Sequence, residues 1–418
     1  MSRLIVNGGN PLNGSIRANG AKNSILPILA ATIINGGENI IHNCPDLKDV
    51  HSAIAILRHL GCRVEYSGGT IVVDSAGMDR WDIPDDLMRE MRSSVIFLGP
   101  ILARCGKARM TYPGGCELGP RPIDLHLDAL SKLGVHIQEE GGEITCECGP
   151  LQGRQINLSL PSVGATENIM LCATACQGTT RIVNAAREPE IWDLQQFLQK
   201  AGAQVQGAGQ HDITIQGGVP TRQPTEHSVI PDRIESATYL CACAAAGGEI
   251  CVQQTIPAHF AAVTELLAES GCQIQVGGQE VRLRAPGRLH SVRPVRTMPY
   301  PGFPTDAQSP LMATLCLAQG TTMFSENIFE SRYRHCAELC RMGADIRVEG
   351  RVALVTGVDH LTGASVKATD LRGGAAMVVA ALAAQSASEI TQIDHIDRGY
   401  DHIERAFAAL GADIKRQA

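Results

Sequence analysis

The chain is poor in aromatic residues, which make up 4% of its 418 residues, and it carries no excess of positive charge. Its 36 Lys and Arg stand against 43 Asp and Glu, a formal net charge of -7. Nucleic-acid binding by backbone recognition or base stacking calls for a basic face and exposed rings, so it is not expected here. Long apolar runs are missing too. The opening Met1-Ser2-Arg3-Leu4-Ile5-Val6-Asn7-Gly8-Gly9-Asn10 has no stretch of signal-peptide length, and no later segment is an uninterrupted span suited to a bilayer. A cytoplasmic protein without a membrane partner is expected. The 15 cysteines form no framework either. They are odd in number and many lie in alanine-rich apolar segments, as do Cys172, Cys176, Cys241, Cys243 and Cys316. Cys146-Glu147-Cys148 and Cys241-Ala242-Cys243 lack the spacing of a zinc site. Reduced, mostly buried thiols and no structural metal are expected.

What the chain does have is length for two or three domains and strong self-similarity. A helix ending in a small-residue stop before a strand recurs at Leu60-Gly61-Cys62, Leu133-Gly134-Val135, Ala201-Gly202-Ala203, Ser270-Gly271-Cys272, Met342-Gly343-Ala344 and Leu410-Gly411-Ala412. The interval is about 70 residues. A second marker precedes each by about 25 residues: Gly37-Glu38, Gly106-Lys107, Gly178-Thr179, Gly248-Glu249, Gly320-Thr321 and, weakly, Ala387-Ser388. Each unit opens with an alanine-rich helix apolar nearly all round: residues 24–34, 94–103, 166–176, 236–246, 308–318 and 375–384. Such a helix is buried on every face. A strand, an amphipathic helix such as Val50 to Leu60 or Ile403 to Leu410, and further strands such as Thr70 to Val73 follow. Six units fit one ring or two groups of three; buried helices favour threes, since three helices can share one interior walled by mixed sheets.

Polar residues then gather at the starts of the buried helices (Lys22, Asn23, Arg92, Ser162 to Thr166, Asp306, Arg372) and in the turns ahead of the amphipathic ones (Cys116, Arg121, Glu188, Arg332, Arg398). Parallel buried helices would bring these groups and the positive ends of their dipoles together, which describes an anion site. Lys22, Arg92, Arg372 and Arg398 all oppose a helix dipole unless they share an anion. Asp306 fits equally well as an ordinary first-turn helix residue. His126, His335 and His395 have no ligand spacing and read as structural. The segment Tyr112 to His126 holds three prolines and three glycines, with Cys116 between Gly115 and Glu117 and with Arg121 near enough to favour a thiolate. The loop alone does not separate a reactive thiol from a surface hairpin that happens to carry cysteine.

With Asn19-Gly20-Ala21-Lys22-Asn23, Pro113-Gly114-Gly115-Cys116, Arg121-Pro122-Ile123-Asp124-Leu125-His126, Ser162-Val163-Gly164-Ala165-Thr166, Ala185-Ala186-Arg187-Glu188-Pro189-Glu190, Phe303-Pro304-Thr305-Asp306 and His395-Ile396-Asp397-Arg398-Gly399-Tyr400 in hand, the chain resembles the UDP-N-acetylglucosamine 1-carboxyvinyltransferase family of enolpyruvyl transferases from end to end. The resemblance implies an α/β fold, a two-domain inside-out α/β barrel of six βαβαββ-like repeats, three per domain. Residues 1–21 with 230–418 would form one domain and 22–229 the other, with a cleft between them. It implies transfer of the enolpyruvyl group of phosphoenolpyruvate to the 3'-hydroxyl of UDP-N-acetylglucosamine with loss of phosphate, the first committed step of peptidoglycan synthesis. Neither a metal nor an organic cofactor is implied. By motif, Cys116 matches the proton donor and site of a covalent phosphoenolpyruvate adduct, and Asp306 the base. Lys22, Arg121 and Arg398 match phosphate-binding positions, Lys22 also counting as catalytic with Cys116 and Asp306, and Arg332 and Arg372 match the same anion pocket. Asn23, Arg92, Arg121, Pro122, Ile123, Asp124, Leu125, Ser162, Val163, Gly164, Asp306 and Ile328 match the nucleotide-sugar site. The chain departs from the pattern at Leu160-Pro161, where a basic residue is expected, and at Arg372-Gly373-Gly374, where Ala usually follows Arg. Enolpyruvyl transfer to shikimate 3-phosphate and a non-catalytic nucleotide-sugar-binding paralogue are the alternatives.

Overall fold

The computed structural model describes residues 2–114, 123–218 and 224–418. The described chain divides into two compact units, one from residues 2–19 and 231–418 and the other from residues 20–114, 123–218 and 224–230. Each is a mixed α/β body, and one strand order recurs in both. In the second unit, Gln155–Asn157 runs parallel to Thr179–Val183, which pairs antiparallel with Asp212–Gln216, which pairs antiparallel with Gln204–Gln206. Thr225–Ser228, Glu38–His42, Thr70–Asp74 and Arg63–Ser67 repeat the order. The remaining sheet of this unit has three strands, Lys107–Thr111, Glu143–Cys148 and Val135–Glu140, with a lone parallel bridge from Asp82 to Arg109 where the opening strand would lie.

In the first unit the order appears with Leu12–Arg17, Gly248–Gln253, Glu280–Arg284 and Gln273–Gly277. It appears again with Val295–Arg296, Thr321–Ser325, Val352–Thr356 and Asp345–Glu349, beside a short parallel pair of Leu289–His290 with Ala318–Gln319. The last sheet joins Ser365–Lys367 to Ala387–Thr391, then to Arg3–Asn7, then to Asp413–Gln417. Its third place is therefore filled from the opposite end of the sequence.

Three helices fill the interior of the first unit: Arg233–Ala246, Thr305–Leu315 and Leu371–Ala383 pack against one another. Their side chains are buried on all sides, from Arg372 to Leu382 in the last of them. Sequences such as Gly-Gly-Ala-Ala-Met-Val-Val-Ala-Ala-Leu have no polar stripe to turn toward water, so only an interior satisfies them. In the second unit the buried helices are Lys22–Ala31, Leu98–Cys105 behind a 3-10 turn at Arg92–Phe97, and Val163–Ala173.

These helices begin two to four residues earlier than the apolar periodicity indicates, because polar first turns belong to them. Lys22, Asp306 and Arg372 lie in the first turns of their helices. The exception in form is 92–105, where a single helix is expected and a 3-10 turn leads into an α-helix. Pro100 has no N–H to donate to the Ile96 carbonyl, so the α-helix starts afresh at Leu98 with proline in its first turn.

The six marker glycines share a cause. Gly61, Gly134, Gly202, Gly271, Gly343 and Gly411 follow amphipathic helices at φ values of 96°, 105°, 100°, 102°, 94° and 95°. This left-handed backbone stops a helix and turns it into the next strand, and a side chain there is strained. Gly343→Ala tests that strain alone, because the added Cβ would meet nothing nearer than Thr362 Oγ1 at 3.8 Å. Gly357→Ala tests sterics, because its Cβ would fall 1.5 Å from the Ala318 carbonyl oxygen. Chemical denaturation should show a loss of about 1–2 kcal/mol for the first and a larger one for the second, with equal losses contradicting the distinction.

Candidate active-site residues

The buried helices fall into two groups by how their N-termini are satisfied. Those opened by Ser162, Asp232 and Asp370 have a side-chain cap: Ser162 accepts from the Ala165 N–H, Asp232 from Ile234 and Glu235, and Asp370 from Arg372 and Gly373. Those opened by Ala21, Met91 and Pro304 have none. Lys22, Arg92 and Asp306 sit at these uncapped starts. Helix starts without a side-chain cap are a common setting for anion binding. Pro27 and Pro310 add a second effect, since they cannot donate to the carbonyls of Asn23 and Asp306 four residues earlier.

In the second unit Lys22 is buried and its Nζ lies 2.8 Å from Asp49 Oδ2, on the helix Lys48–His59. Asn23 follows, half-buried. Arg92 donates from Nη1 to the Pro113 carbonyl at 3.1 Å. Ile123 is buried at the start of the helix Asp124–Lys132, with Asp124 exposed and Leu125 half-buried. His126 carries that helix onto the Ser162 segment. Its Nδ1 is 2.8 Å from Asn168 Nδ2, and a Cβ on Gly164 would come within 3.0 Å of its ring. Two motifs far apart in sequence, 123–125 and 162–164, are thereby neighbours. Burial, assisted by the charge of Arg92, pushes the His126 pKa down to about 4, so the ring is a neutral strut. Ser162 and Val163 are half-buried, and Leu160 is exposed at the departure from the family pattern. Cys116, Arg121 and Pro122 lie outside the described residues.

In the first unit Asp306 is held by two buried guanidiniums. Arg332 Nη2 donates to its Oδ1 at 3.2 Å, and Arg372 donates to Oδ2 from Nε and Nη2, both at 3.3 Å. Its helix has no side-chain cap, so the carboxylate is bracketed by arginines where a simple capping role would have it bonded to backbone N–H. Burial opposes the charge on Arg372, but Tyr400 and the carboxylates of Asp306 and Asp232 hold its pKa above the ordinary range. Tyr400 also lies under the guanidinium, 5.2 Å from ring centroid to Cζ. Arg332 also donates to the Thr305 carbonyl at 3.0 Å. Burial would raise the Asp370 carboxyl, but Arg332 and the Gly373 N–H keep it below the usual range. The Gly373 departure fits this cap: a Cβ there would lie 2.6 Å from Asp370 Oδ2. Arg398 is half-buried in the turn before the helix Ile403–Ala409, and Ile328 is 37% exposed.

Sequence reading misses the partners that hold these groups. Asp49 pairs with Lys22 across 27 positions of sequence. Buried Glu326 accepts from the N–H of Ile328 at 2.8 Å and from Thr305 Oγ1 and Gln308 Nε2 at 3.0 and 2.9 Å, fixing the Ile328 loop to the Asp306 helix. Neither acid lies in a local motif. The prolines at 27 and 310 are the one local signal, marking helices whose first turns differ from the rest.

No group of three or more His, Cys, Asp or Glu among the described residues is placed to hold a metal ion, and no described helix is long and apolar enough to cross a membrane. Within the first unit a carboxylate is locked between two guanidiniums, a setting suited to charge stabilisation and proton transfer.

Residues 6–407 match the model of the EPSP synthase (3-phosphoshikimate 1-carboxyvinyltransferase) family, and the chain belongs to that family of enolpyruvyl transferases. The solved enolpyruvyl transferase NikO from Streptomyces tendae is 27% identical with a TM-score of 0.89, covering 100% of this chain and 99% of its own. EPSP synthase from Acinetobacter baumannii, at 17% identity and a TM-score of 0.74, shares the fold over 100% of both chains. Curated relatives are nearer in sequence. UDP-N-acetylglucosamine 1-carboxyvinyltransferase 2 of Caldanaerobacter subterraneus subsp. tengcongensis is 50% identical over 416 residues, 100% of each chain. The Myxococcus xanthus UDP-N-acetylglucosamine 1-carboxyvinyltransferase is 43% identical over 420 residues, again 100% of each. Within the family, the chain groups with the UDP-N-acetylglucosamine 1-carboxyvinyltransferases.

Buried Glu235 supplies a test of the electrostatics. It accepts from the Asn19 N–H at 2.8 Å, Asn19 Nδ2 at 3.0 Å and the Tyr239 hydroxyl at 2.9 Å. Burial, then the charge of Asp232, raises its pKa to about 7 against these bonds. The folded state therefore binds the proton more tightly than the unfolded chain. Its contribution is full below an ordinary carboxyl pKa of about 4.3 and is lost as pH rises toward 7. His126 and His335, both pushed down to about 4, act oppositely and lose stability as pH falls from about 6.5. Subtracting Glu235→Gln from the parent cancels the histidines. The parent should lose roughly 3 kcal/mol more than the variant between pH 4.5 and 7.5 in denaturant titrations, and parallel curves would contradict it.

Proposed function

We propose that this protein transfers the enolpyruvyl group of phosphoenolpyruvate to the 3'-hydroxyl of UDP-N-acetylglucosamine and releases phosphate. The observation that carries the reading is identity of 43–50% over the full chain to relatives bearing that name. The paired guanidiniums around Asp306 support it chemically.

Phosphoenolpyruvate brings two anionic groups and an electron-rich double bond. Addition of the sugar hydroxyl to C2 requires a proton at C3, leaves positive character at C2 as it develops, and requires loss of the hydroxyl proton. We assign Cys116 as the acid that protonates C3 and as the carrier of a covalent phosphoenolpyruvate adduct. Asp306 takes the hydroxyl proton. Arg332 and Arg372 hold its two oxygens in place and answer the substrate carboxylate's charge. Lys22, Arg121 and Arg398 bind phosphate and stabilise it as it departs from C2, while a C3 proton returns to the Cys116 sulfur and the double bond is restored. Asn23, Arg92, Arg121, Pro122, Ile123, Asp124, Leu125, Ser162, Val163, Gly164, Asp306 and Ile328 bind the nucleotide sugar. The neighbouring of 123–125 with 162–164 through His126 supports that grouping. Residues of both units thus contribute to one reaction, with 1–21 and 230–418 as one functional domain and 22–229 as the other, each a three-repeat inside-out α/β barrel. The physiological setting of this reading is cytoplasmic peptidoglycan synthesis, with small molecules and neither nucleic acid nor membrane as partners.

Phosphate release measured with UDP-N-acetylglucosamine or shikimate 3-phosphate as acceptor decides between the two enolpyruvyl transfers; release with the nucleotide sugar alone is expected. Asp306→Asn keeps the shape of the side chain and removes the base, so kcat should fall by about 10² with the fold intact. Near-parental turnover would return Asp306 to a structural role. The epoxide fosfomycin, which pairs a phosphonate with an electrophilic carbon, should label Cys116 alone, and more rapidly with nucleotide sugar present. Peptide mapping checks this against Cys340, the exposed thiol among the described cysteines. Labelling spread over both would overturn the special reactivity of Cys116.

A further inference from the structure

The start of the Lys22 helix is gripped from behind by a buried polar group that the chemistry above does not use. Its N-cap is Ala21, which has no side chain to cap with, so the placement of the first turn must come from elsewhere. Asp193, on the helix Pro189–Lys200 and 1% exposed, supplies it. Its Oδ2 accepts from the Ser24 hydroxyl and from the Ile230 N–H at 3.2 Å. Its Oδ1 lies 2.9 Å from Nε2 of His227, itself 4% exposed. The Ile230 carbonyl in turn accepts the Ala21 N–H at 2.8 Å.

One carboxylate therefore holds the third residue of the helix directly and the residue before its first through Ile230. Lys22 and Asn23 lie between these two points. His227 backs the carboxylate and is wedged edge-on against Phe197, with ring centroids 5.8 Å apart at 88°. The trio is no nucleophilic triad, because serine bonds to the aspartate and not to the imidazole, and all three side chains are buried. Apolar residues of like volume could fill this space without loss of stability. What a carboxylate with three directed donors adds is a fixed position.

We propose that Asp193, backed by His227, is a positioning residue that sets Lys22 and Asn23 for the substrates by anchoring Ser24 and Ile230. This rests on the assignment of Lys22 to the phosphate of phosphoenolpyruvate. An error of about 1 Å in such a group costs up to about 10²-fold in rate.

Ser24→Ala is the cleanest probe, since Asp193 keeps His227 and Ile230 and the fold keeps its buried pair. Steady-state kinetics in both substrates, with Tm alongside, should show kcat/KM for phosphoenolpyruvate down about 10-fold or more. Ser24→Thr, which keeps the hydroxyl, should restore most of it. Asp193→Asn should reproduce the loss. In a Lys22→Ala background Ser24→Ala should have no further effect on kcat/KM for phosphoenolpyruvate, although any effect through Asn23 on the nucleotide sugar and any Tm shift persist. Equal fold-losses in both backgrounds, or a Tm shift without a kinetic one, would overturn the positioning role and leave Lys22 assigned. Parental kinetics for Lys22→Ala itself would overturn the assignment of Lys22, and the positioning role with it.

Discussion

A helix without a polar face can carry charge only at its ends, and this constraint organises each unit. The interior helices of the first unit are buried over nearly all of their length, most of it by small and apolar side chains. Every group able to do chemistry is displaced to the first turn or to the loops around it. The sheets outside need only be regular, and one strand order serves four of them, with the first strand missing from another and the third strand of the last supplied from far away in sequence. Chemistry and stability thus occupy different parts of the same element. The body of the Leu371–Ala383 helix is packing, while its first turn holds Arg372, whose guanidinium reaches Asp306 and Tyr400.

Buried charge is costly, and it persists here because each charge is tied to several others. Arg332 and Arg372 are 2% and 1% exposed, a setting in which an unpaired guanidinium would be strongly unfavourable. Asp306 answers both, Thr305 supplies a carbonyl to one, and Tyr400 supplies a ring to the other. Such mutual dependence fixes geometry better than it adds stability. Lys22 with Asp49 is the same device on a smaller scale.

The local features were legible in the sequence because their causes are local. A glycine that ends an amphipathic helix and starts a strand needs left-handed backbone, and Gly61, Gly134, Gly202, Gly271, Gly343 and Gly411 all adopt it. Total apolarity signals total burial, so the bodies of the inner helices could be read, whereas their polar first turns look like loop and could not. Asp49, Asp193 and Glu326 were invisible for another reason. Each meets its partner only after folding brings distant segments together, and a lone acid in an amphipathic helix or a loop has the same composition whether it faces water or a buried donor. The split of Arg92–Phe97 from Leu98–Cys105 was available from Pro100, since the missing N–H is a property of the residue itself.

The strand Arg3–Asn7 sits between Ala387–Thr391 and Asp413–Gln417, pairing residue by residue with both. On a ribosome this segment is made about 380 to 410 residues before the neighbours with which it pairs. At about 5–20 residues per second the wait is roughly 20 to 80 s. Throughout it the apolar run Leu4, Ile5 and Val6, a strand once folded, lacks both of its edge partners, which is a hazard for pairing with another chain. Residues 20–230 face no such delay, since their last strand, Thr225–Ser228, closes onto Glu38–His42 midway through synthesis. The order of assembly is therefore written into the topology: residues of the second unit can fold as they emerge, and the other unit must be kept open until the strands Ala387–Thr391 and Asp413–Gln417 have been made.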